Sequence, residues 1–428
     1  MPEPILPSPS QLERLRSLLG ICASRSAFYQ RKAREAGLDL AALAPEDFQR
    51  LPTTRKEELA QDQEEHPPYG TVLCEPLERY TRLHLTSGTK GRPLRWLDTP
   101  ESWAWWKERW QGIYRAAGLG PADRLFFPFS FGPFIGFWAA FEAAQDLGTL
   151  VLAGGGERTE ERIRNLLEFE ATAVVCTPTY ALRLAEAARL QGLDLAASPV
   201  RITLHAGEPG ASLPSVRRRI EEAWGARCFD HAGATEVGPW GFGCTGGEEM
   251  HLDAEEFLAE VLEPEEDRPV EPDGRGVLAG ELVLTPLGRL GSPVLRYRTG
   301  DRVRLVQRSC PCGREGPMLL GGILGRVDDM FVVRGVNVFP SAVENLVRAF
   351  PEVQEFDACV RRQAEMAELE IQVELEPGLG EEEGRALGAR LEERLHRELH
   401  LRARVECVPA GSLPRYELKA RRFRFEGA

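Results

Sequence analysis

The run Leu85-Thr86-Ser87-Gly88-Thr89-Lys90-Gly91-Arg92-Pro93 gathers hydroxyls, two glycines and two cations directly after a β-like segment. Such a turn can wrap backbone N–H groups and hydroxyls around phosphate oxygens, because glycine lets the chain approach an anion closely. The G-x-x-x-x-G-K-[ST] order of a Walker A loop is absent, and on loop chemistry alone the same residues more often make only a turn. A second candidate lies near the other end, in Pro414-Arg415-Tyr416-Glu417-Leu418-Lys419-Ala420-Arg421-Arg422. Of 53 basic residues only Lys32, Lys56, Lys90, Lys107 and Lys419 are lysines. Arginine therefore supplies the general surface charge, and the compact ammonium of the few lysines is a candidate for work that a planar guanidinium does not do. A basic C-terminal tail is the alternative reading of Lys419. Cys244, His251, Cys310 and Cys312 offer four soft ligands for tetrahedral zinc, although their spacing is not that of a standard finger. The most aromatic stretch runs from Phe126 to Trp138. Its flat rings and intervening glycines suit an apolar ligand, with Phe131, Phe134 and Ile135 as candidate pocket residues; core packing is the alternative.

These groups need a scaffold, and 428 residues exceed what one core usually serves, so a large and a small domain are expected. From about Thr81 to Gly325, β-like runs alternate with amphipathic helices: 147 to 153, then 157 to 170, 173 to 176, 178 to 191, 201 to 206 and 214 to 224. That alternation predicts an α/β fold with parallel strands, whose ligands bind beyond the carboxyl ends of the strands. Residues 1 to 80 read as a helical cap. The boundary is expected after Gly325, before a compact α+β domain spanning 326 to 428 with strands at 330 to 333, 355 to 360, 368 to 375 and 403 to 408. A net charge of −13 argues against nucleic-acid and anionic-membrane partners. No apolar run approaches the roughly 20 residues that cross a bilayer. The start MPEPILPSPS lacks a basic n-region, and the scattered cysteines read as reduced thiols, so a cytoplasmic protein is expected.

Read together, the loop and several later segments resemble the adenylate-forming superfamily. The loop is similar to its T-S-G-T-T-G-x-P phosphate motif, with Lys90 in place of a threonine. Ala206-Gly207-Glu208-Pro209 resembles the stretch that forms one wall of the adenine site. Asp230-His231-Ala232-Gly233-Ala234-Thr235-Glu236 is similar to D-x-Y-G-x-[ST]-E, with Ala232 at the aromatic position. The resemblance implies that Thr235 touches phosphate and Glu236 holds Mg²⁺. Tyr297-Arg298-Thr299-Gly300-Asp301 resembles the segment whose aspartate accepts the ribose hydroxyls. Gly325-Arg326-Val327-Asp328 looks like the hinge, which puts Arg326 near ribose and phosphate and makes Asp328 the pivot of a mobile C-terminal domain. The final segment resembles P-R-[ST]-x-x-G-K, with Leu418 replacing glycine, and implies that Lys419 is the adenylation lysine.

Phe28-Tyr29-Gln30-Arg31-Lys32, Leu51-Pro52-Thr53-Thr54, Gly154-Gly155-Gly156-Glu157-Arg158 and Cys176-Thr177-Pro178-Thr179-Tyr180 narrow the resemblance to the phenylacetate–CoA ligase family. It covers roughly residues 25 to 425. The implied fold is a large N-terminal adenylate-forming domain, 1 to 325, with doubly wound sheets, plus the small mobile domain. The implied activity is ATP-dependent formation of an acyl-adenylate and then of an acyl-CoA thioester, on phenylacetate or a related aryl acid. Lys419, Glu236 and Thr86 would be catalytic, and Ser87, Gly88, Thr89, Lys90, Gly91, Gly207, Glu208, Pro209, Asp230, His231, Ala232, Thr235, Asp301 and Arg326 would bind nucleotide. The family's similar Cys/His pairs imply a structural zinc, and its members imply a homodimer. Transfer to a carrier protein in place of CoA, or a catalytically silent paralogue, stays open at this level.

Overall fold

The computed structural model describes residues 7–86, 93–245, 249–333, 336–363, 366–416 and 419–426. Three helices open the chain: α1 (Pro9–Arg25), α2 (Ala27–Glu35) and α3 (Lys56–Glu65). The first begins at Ser8, whose hydroxyl accepts from Gln11 N while Ser8 N donates back to the Gln11 side chain, a reciprocal cap. A hairpin of β1 (Arg82–Leu85) and β2 (Arg95–Asp98) leads into α4 (Pro100–Ala116).

The next segment alternates β3 (Arg124–Phe127), α5 (Ile135–Asp146), β4 (Leu150–Ala153), α6 (Thr159–Glu168), β5 (Ala173–Cys176) and α7 (Pro178–Leu190). It continues with β6 (Ile202–His205), α8 (Pro214–Trp224) and β7 (Arg227–Ala234). These five strands are parallel, in the order β7-β6-β5-β3-β4. β5 and β6 are buried along their whole length, as strands covered on both faces must be. Proline at the first position starts α7 and α8, where its missing N–H has no partner to lose.

The same sheet then continues with antiparallel strands: β8 (Gly238–Gly243), β9 (Met250–Leu252), β10 (Phe257–Leu262), β11 (Leu278–Pro286), β12 (Tyr297–Ser309), β13 (Glu315–Leu319) and β14 (Gly325–Arg326). Twelve strands result, in the order β10-β11-β12-β13-β9-β8-β7-β6-β5-β3-β4, with β14 paired to β12. The sequence reading foresaw β4, β5 and β6 and the parallel arrangement, but not β3 or β7; the antiparallel half is joined by turns, so no helix periodicity marks its strands.

A separate C-terminal domain follows, with β15 (Phe331–Val333), β16 (Val336–Val338), α9 (Pro340–Arg348), β17 (Val353–Gln363), β18 (Met366–Leu375), α10 (Glu381–Leu399), β19 (Ala403–Val408) and β20 (Phe423–Glu426). Its four-stranded sheet has the order β19-β18-β17-β20. Leu387, Leu391 and Leu395, four apart on α10, pack with Val343, Val347, Phe356 and Ile371 into a core of its own.

Candidate active site

At the start of β12 the chain turns so that Thr299 Oγ1 accepts from Asp301 N at 3.0 Å. The short strand β14 pairs Arg326 with Asp301 across the ladder. Arg326 Nη1 donates to Thr299 O at 2.7 Å and to Asp301 Oδ1 at 3.2 Å, and Nε reaches Asp328 Oδ1 at 3.2 Å. Gly300 makes this possible: its φ is +75°, and a Cβ there would sit 2.5 Å from Arg326 Nη2. Burial raises the Asp301 carboxyl above its usual range; Arg326, the Thr299 hydroxyl and the charge of Lys419 oppose that rise. Lys419 itself is exposed, yet lies close enough to be felt at Asp301.

Glu236 is 3% exposed at the end of the β7–β8 turn. Its backbone is held from below by Arg289, which donates to the carbonyl oxygens of Thr235 and Glu236. Arg289 and Asp98 form a fully buried two-bond pair, at 2.7 and 2.6 Å, with the guanidinium carbon 5.4 and 5.1 Å from the Trp96 and Trp106 rings. The carboxylate meets Tyr297, whose phenol is pushed well above its usual range by burial and then by Glu236. Lys56 Nζ stands 3.1 Å from Glu236 Oε1, but that oxygen accepts no hydrogen bond among the described residues. A buried carboxylate oxygen that is ion-paired to Lys56 but accepts no aligned hydrogen bond is one that a hard cation such as Mg²⁺ would take as a ligand.

Lys56 arrives from the N-terminal region because Thr54 joins β12 as an isolated bridge beside Tyr297. Thr54 N donates to Arg296 O at 2.8 Å, and Arg298 N to Thr54 O at 2.9 Å. Sequence reasoning set Lys56 apart only by the scarcity of lysine, and it missed the Arg289–Asp98 support, which has no local signal.

Gly207, at φ +97°, turns the chain after β6. Glu208 there accepts Thr179 N on Oε1 at 2.9 Å and Ala420 N on Oε2 at 2.8 Å, so the loop after β6 touches the residue next to Lys419. Pro209 beside it is exposed. Burial pushes the Asp230 carboxyl up to about 6, against the Ser212 hydroxyl and His231 N, the latter 3.0 Å from Oδ1. The His231 ring turns into the core. It lies 4.3 Å from the Trp110 ring with Nδ1 2.7 Å from Gly241 O, and burial lowers its pKa to about 4. Ala232 is buried in the same cluster, and its methyl provides no stacking surface.

Thr86 is buried, with its hydroxyl accepting Leu94 N at 2.9 Å and its own N–H donating to Leu94 O at 3.1 Å. Ser87, Gly88, Thr89, Lys90 and Gly91 lie outside the described residues. Leu85 N donates to Pro133 O at 2.8 Å, which ties β1 to the aromatic stretch. In that stretch Ile135 is core at 3% exposure and Phe134 is 52% exposed. Phe131 lies between them, its ring 5.3, 4.6 and 5.1 Å from those of Phe129, Trp138 and Phe141.

Cys244, after β8, and His251, on β9, meet Cys310 and Cys312 of the β12–β13 turn. One ligand atom from each lies within 4.8 Å of all the others. Cys244 Sγ is 3.2 Å from Cys310 Sγ, and Cys312 Sγ is 3.3 Å from His251 Nε2. Thiolates about 2.3 Å from a tetrahedral zinc stand about 3.8 Å apart, so small adjustments fit the ion. The cluster sits at the far end of β12, roughly 30 Å along the strand from Asp301.

A family model described as the AMP-binding enzyme C-terminal domain matches residues 335–424. The phenylacetate-coenzyme A ligase of Thermus thermophilus is 32% identical, over 95% of this chain and 93% of its own length. The Pseudomonas putida protein of the same name is 31% identical, over 96% and 92%. A crystal structure of 2-hydroxyisobutyryl-CoA ligase in the postadenylation state, in complex with 2-HIB-AMP, is similar at a TM-score of 0.90 and 30% identity, covering 98% of this chain and 90% of that one. The same ligase with 2-HIB-AMP and CoA in the thioesterification state is similar at 0.70 and 31% identity, covering 97% and 88%. The arrangement of the two domains in this chain is thus nearer the former.

Proposed function

The chain belongs to the phenylacetate–coenzyme A ligase family, and from that premise we propose that it is an ATP-dependent acid–CoA ligase acting on phenylacetate or a related aryl acid. A carboxylate oxygen of the acid attacks the α-phosphorus of ATP, the bond to the β-phosphate breaks, and an acyl-adenylate and pyrophosphate form. The thiol sulfur of CoA then attacks the acyl carbon, its proton is lost to solvent, and AMP departs with the electrons of the acyl–oxygen bond.

In this reading Lys419 is the cation that offsets charge building up at the α-phosphate, and Asp301 accepts the ribose hydroxyls with Arg326 beside it. Thr86, Ser87, Gly88, Thr89, Lys90, Gly91 and Thr235 form the phosphate cradle. Gly207, Glu208, Pro209, Asp230, Ala232 and the His231 backbone line the adenine side. Glu236 would hold Mg²⁺, which supplies charge neutralisation on the triphosphate, and Lys56 adds a second positive charge at the same carboxylate. Phe131, Phe134 and Ile135 face the acid's apolar part. Arg326 marks the boundary between the large domain, 1–325 with its helical cap, and a mobile domain, 326–428, that turns about Asp328 between the two steps. Cys244, His251, Cys310 and Cys312 would hold a structural zinc with no open position for chemistry. No helix among the described residues is long and apolar enough to cross a membrane, and no disulfide joins the described cysteines; we propose a cytoplasmic protein and, on the family resemblance alone, a homodimer.

The reading is supported chiefly by the pairing of Asp301 with Arg326 in the large sheet and by the charge of Lys419, which comes from the far C-terminal segment. It is tested by AMP release over a panel of aryl, arylacetic and aliphatic acids, with and without CoA. Acid-dependent AMP release that becomes multiple-turnover only with CoA is expected, with arylacetic acids fastest. No AMP from any acid would overturn the reading, and turnover that ignores CoA would reassign the acceptor.

A further inference from the structure

Building on that reading, we propose that Arg415 is a positioning residue for adenylation, clamped between one carboxylate of each domain, and that its large-domain half opens before the CoA step. Arg415 Nε lies 3.1 and 3.0 Å from the two Glu186 oxygens, and Nη2 is 3.0 Å from Oε1. On its other side Nη1 and Nη2 reach the Glu374 oxygens at 3.0 and 2.5 Å. Glu186 belongs to α7 of the large sheet domain, and Glu374 to β18 of the small one.

The two halves differ in kind. Glu374 is fully buried and also accepts Gly411 N at 2.7 Å and Leu413 N at 2.9 Å, so it fastens the loop before Lys419 permanently to the small domain. Glu186 accepts groups that arrive with the small domain, Arg415 and Gln354 Nε2 at 2.7 Å, and from its own helix only Arg183 at 2.9 Å. Beyond Lys419, Ala420 N is held on Glu208. The lysine is therefore bracketed by two anchors on the large domain, four residues before it and one after. Arg415 and Glu186 side chains are 19% and 14% exposed, sheltered enough for charge-assisted bonds to fix geometry yet wet enough to exchange with water. Other bonds across the interface are also polar, including Ser215 Oγ to Asn345 Oδ1 at 2.8 Å and Arg219 to the carbonyls of Phe350 and Val353. A contact built this way can part without exposing an apolar face.

The test uses Glu186→Gln, Arg415→Met and the double variant in the full chain. Two rates are followed: acid-dependent pyrophosphate exchange, and thioester formation from phenylacetyl-adenylate and CoA. In E186Q, exchange is expected to fall about ten- to a hundredfold, the loss of a charge-assisted bond. KM for ATP should stay within about twofold, and thioester formation should be unchanged or faster. The double variant should be no worse than the poorer single, because both remove one contact. Arg415→Lys, which keeps charge but not the fork, should show the same split and serves if E186Q folds poorly. Equal losses in both half-reactions, unaltered exchange, or additive losses in the double variant would each overturn the clamp. If Lys419→Ala abolishes exchange while E186Q does not, only the clamp fails. If wild-type protein shows no exchange at all, the proposed function itself fails.

Discussion

Glu236 illustrates how a single side chain is made useful. A carboxylate in the core is costly unless paired, and here its position is set by a carbonyl grip from Arg289, itself neutralised by Asp98 and sandwiched by two tryptophans. Removing one member of a buried pair strands the other, at about 3–5 kcal/mol. Arg289→Met should therefore lower unfolding free energy by about that amount in a denaturant titration, whereas a surface pair such as Arg79–Glu101 should matter by less than about 1 kcal/mol. A stability loss for R289M no larger than that of a surface substitution would contradict the role. Little of this was readable in advance. Glu236, Asp301 and Lys419 stand in recognisable local strings, but Arg289 and Asp98 are distant in sequence and meet only through packing. Lys56 reaches Glu236 because Thr54 bridges to β12, a pairing that no local pattern announces.

At the scale of elements, β6 and the loops at the far end of β12 carry separate loads. His205 ends β6 fully buried, with Nδ1 3.1 Å from Cys176 O, and burial lowers its pKa to about 4. A folded pKa below the unfolded value of about 6.5 means stability present above that pH and lost as pH falls through 4. His231 acts in the same sense and Asp230, raised to about 6, in the opposite one below that pH. Tm should thus drop between pH 7 and pH 5, and the drop should be smaller in His205→Gln, which cannot titrate; an equal drop in both proteins would remove His205 from the account. The cysteine and histidine cluster predicts that chelation, or Cys312→Ser, releases about one equivalent of zinc and lowers Tm, with exchange activity retained at low temperature. A purified protein that is zinc-free and equally stable would refute the site. The four candidate ligands could be named from the sequence because Cys244-x₆-His251 and Cys310-Pro311-Cys312 are paired soft groups, like pairs that the family resemblance implies. β4, β5 and β6 were visible because an amphipathic helix follows each of them; β3 and β7 were not read as strands. β20 was not: Arg422 and Arg424 make it read as a basic tail, and only pairing with β17, with Arg424 set against Asp357, gives it a place.

For the molecule as a whole, one large sheet presents Asp301 and Glu236 from its antiparallel half and Glu208 from the loop after β6, while a separately cored domain brings Lys419 within electrostatic reach of Asp301 and the adjoining Ala420 onto Glu208. The two domains were legible from the change in pattern near Gly325, but the arrangement between them was not, because it rests on polar contacts between residues 186–219 and the C-terminal domain that no local pattern announces. The account stands or falls on whether that delivered lysine acts in the first step alone. The most direct measurement compares Lys419→Ala with wild type in acid-dependent pyrophosphate exchange and in thioester formation from a supplied acyl-adenylate. Loss of exchange by a hundredfold or more, with thioester formation within about twofold of wild type, is the predicted result; exchange that survives the substitution would contradict it.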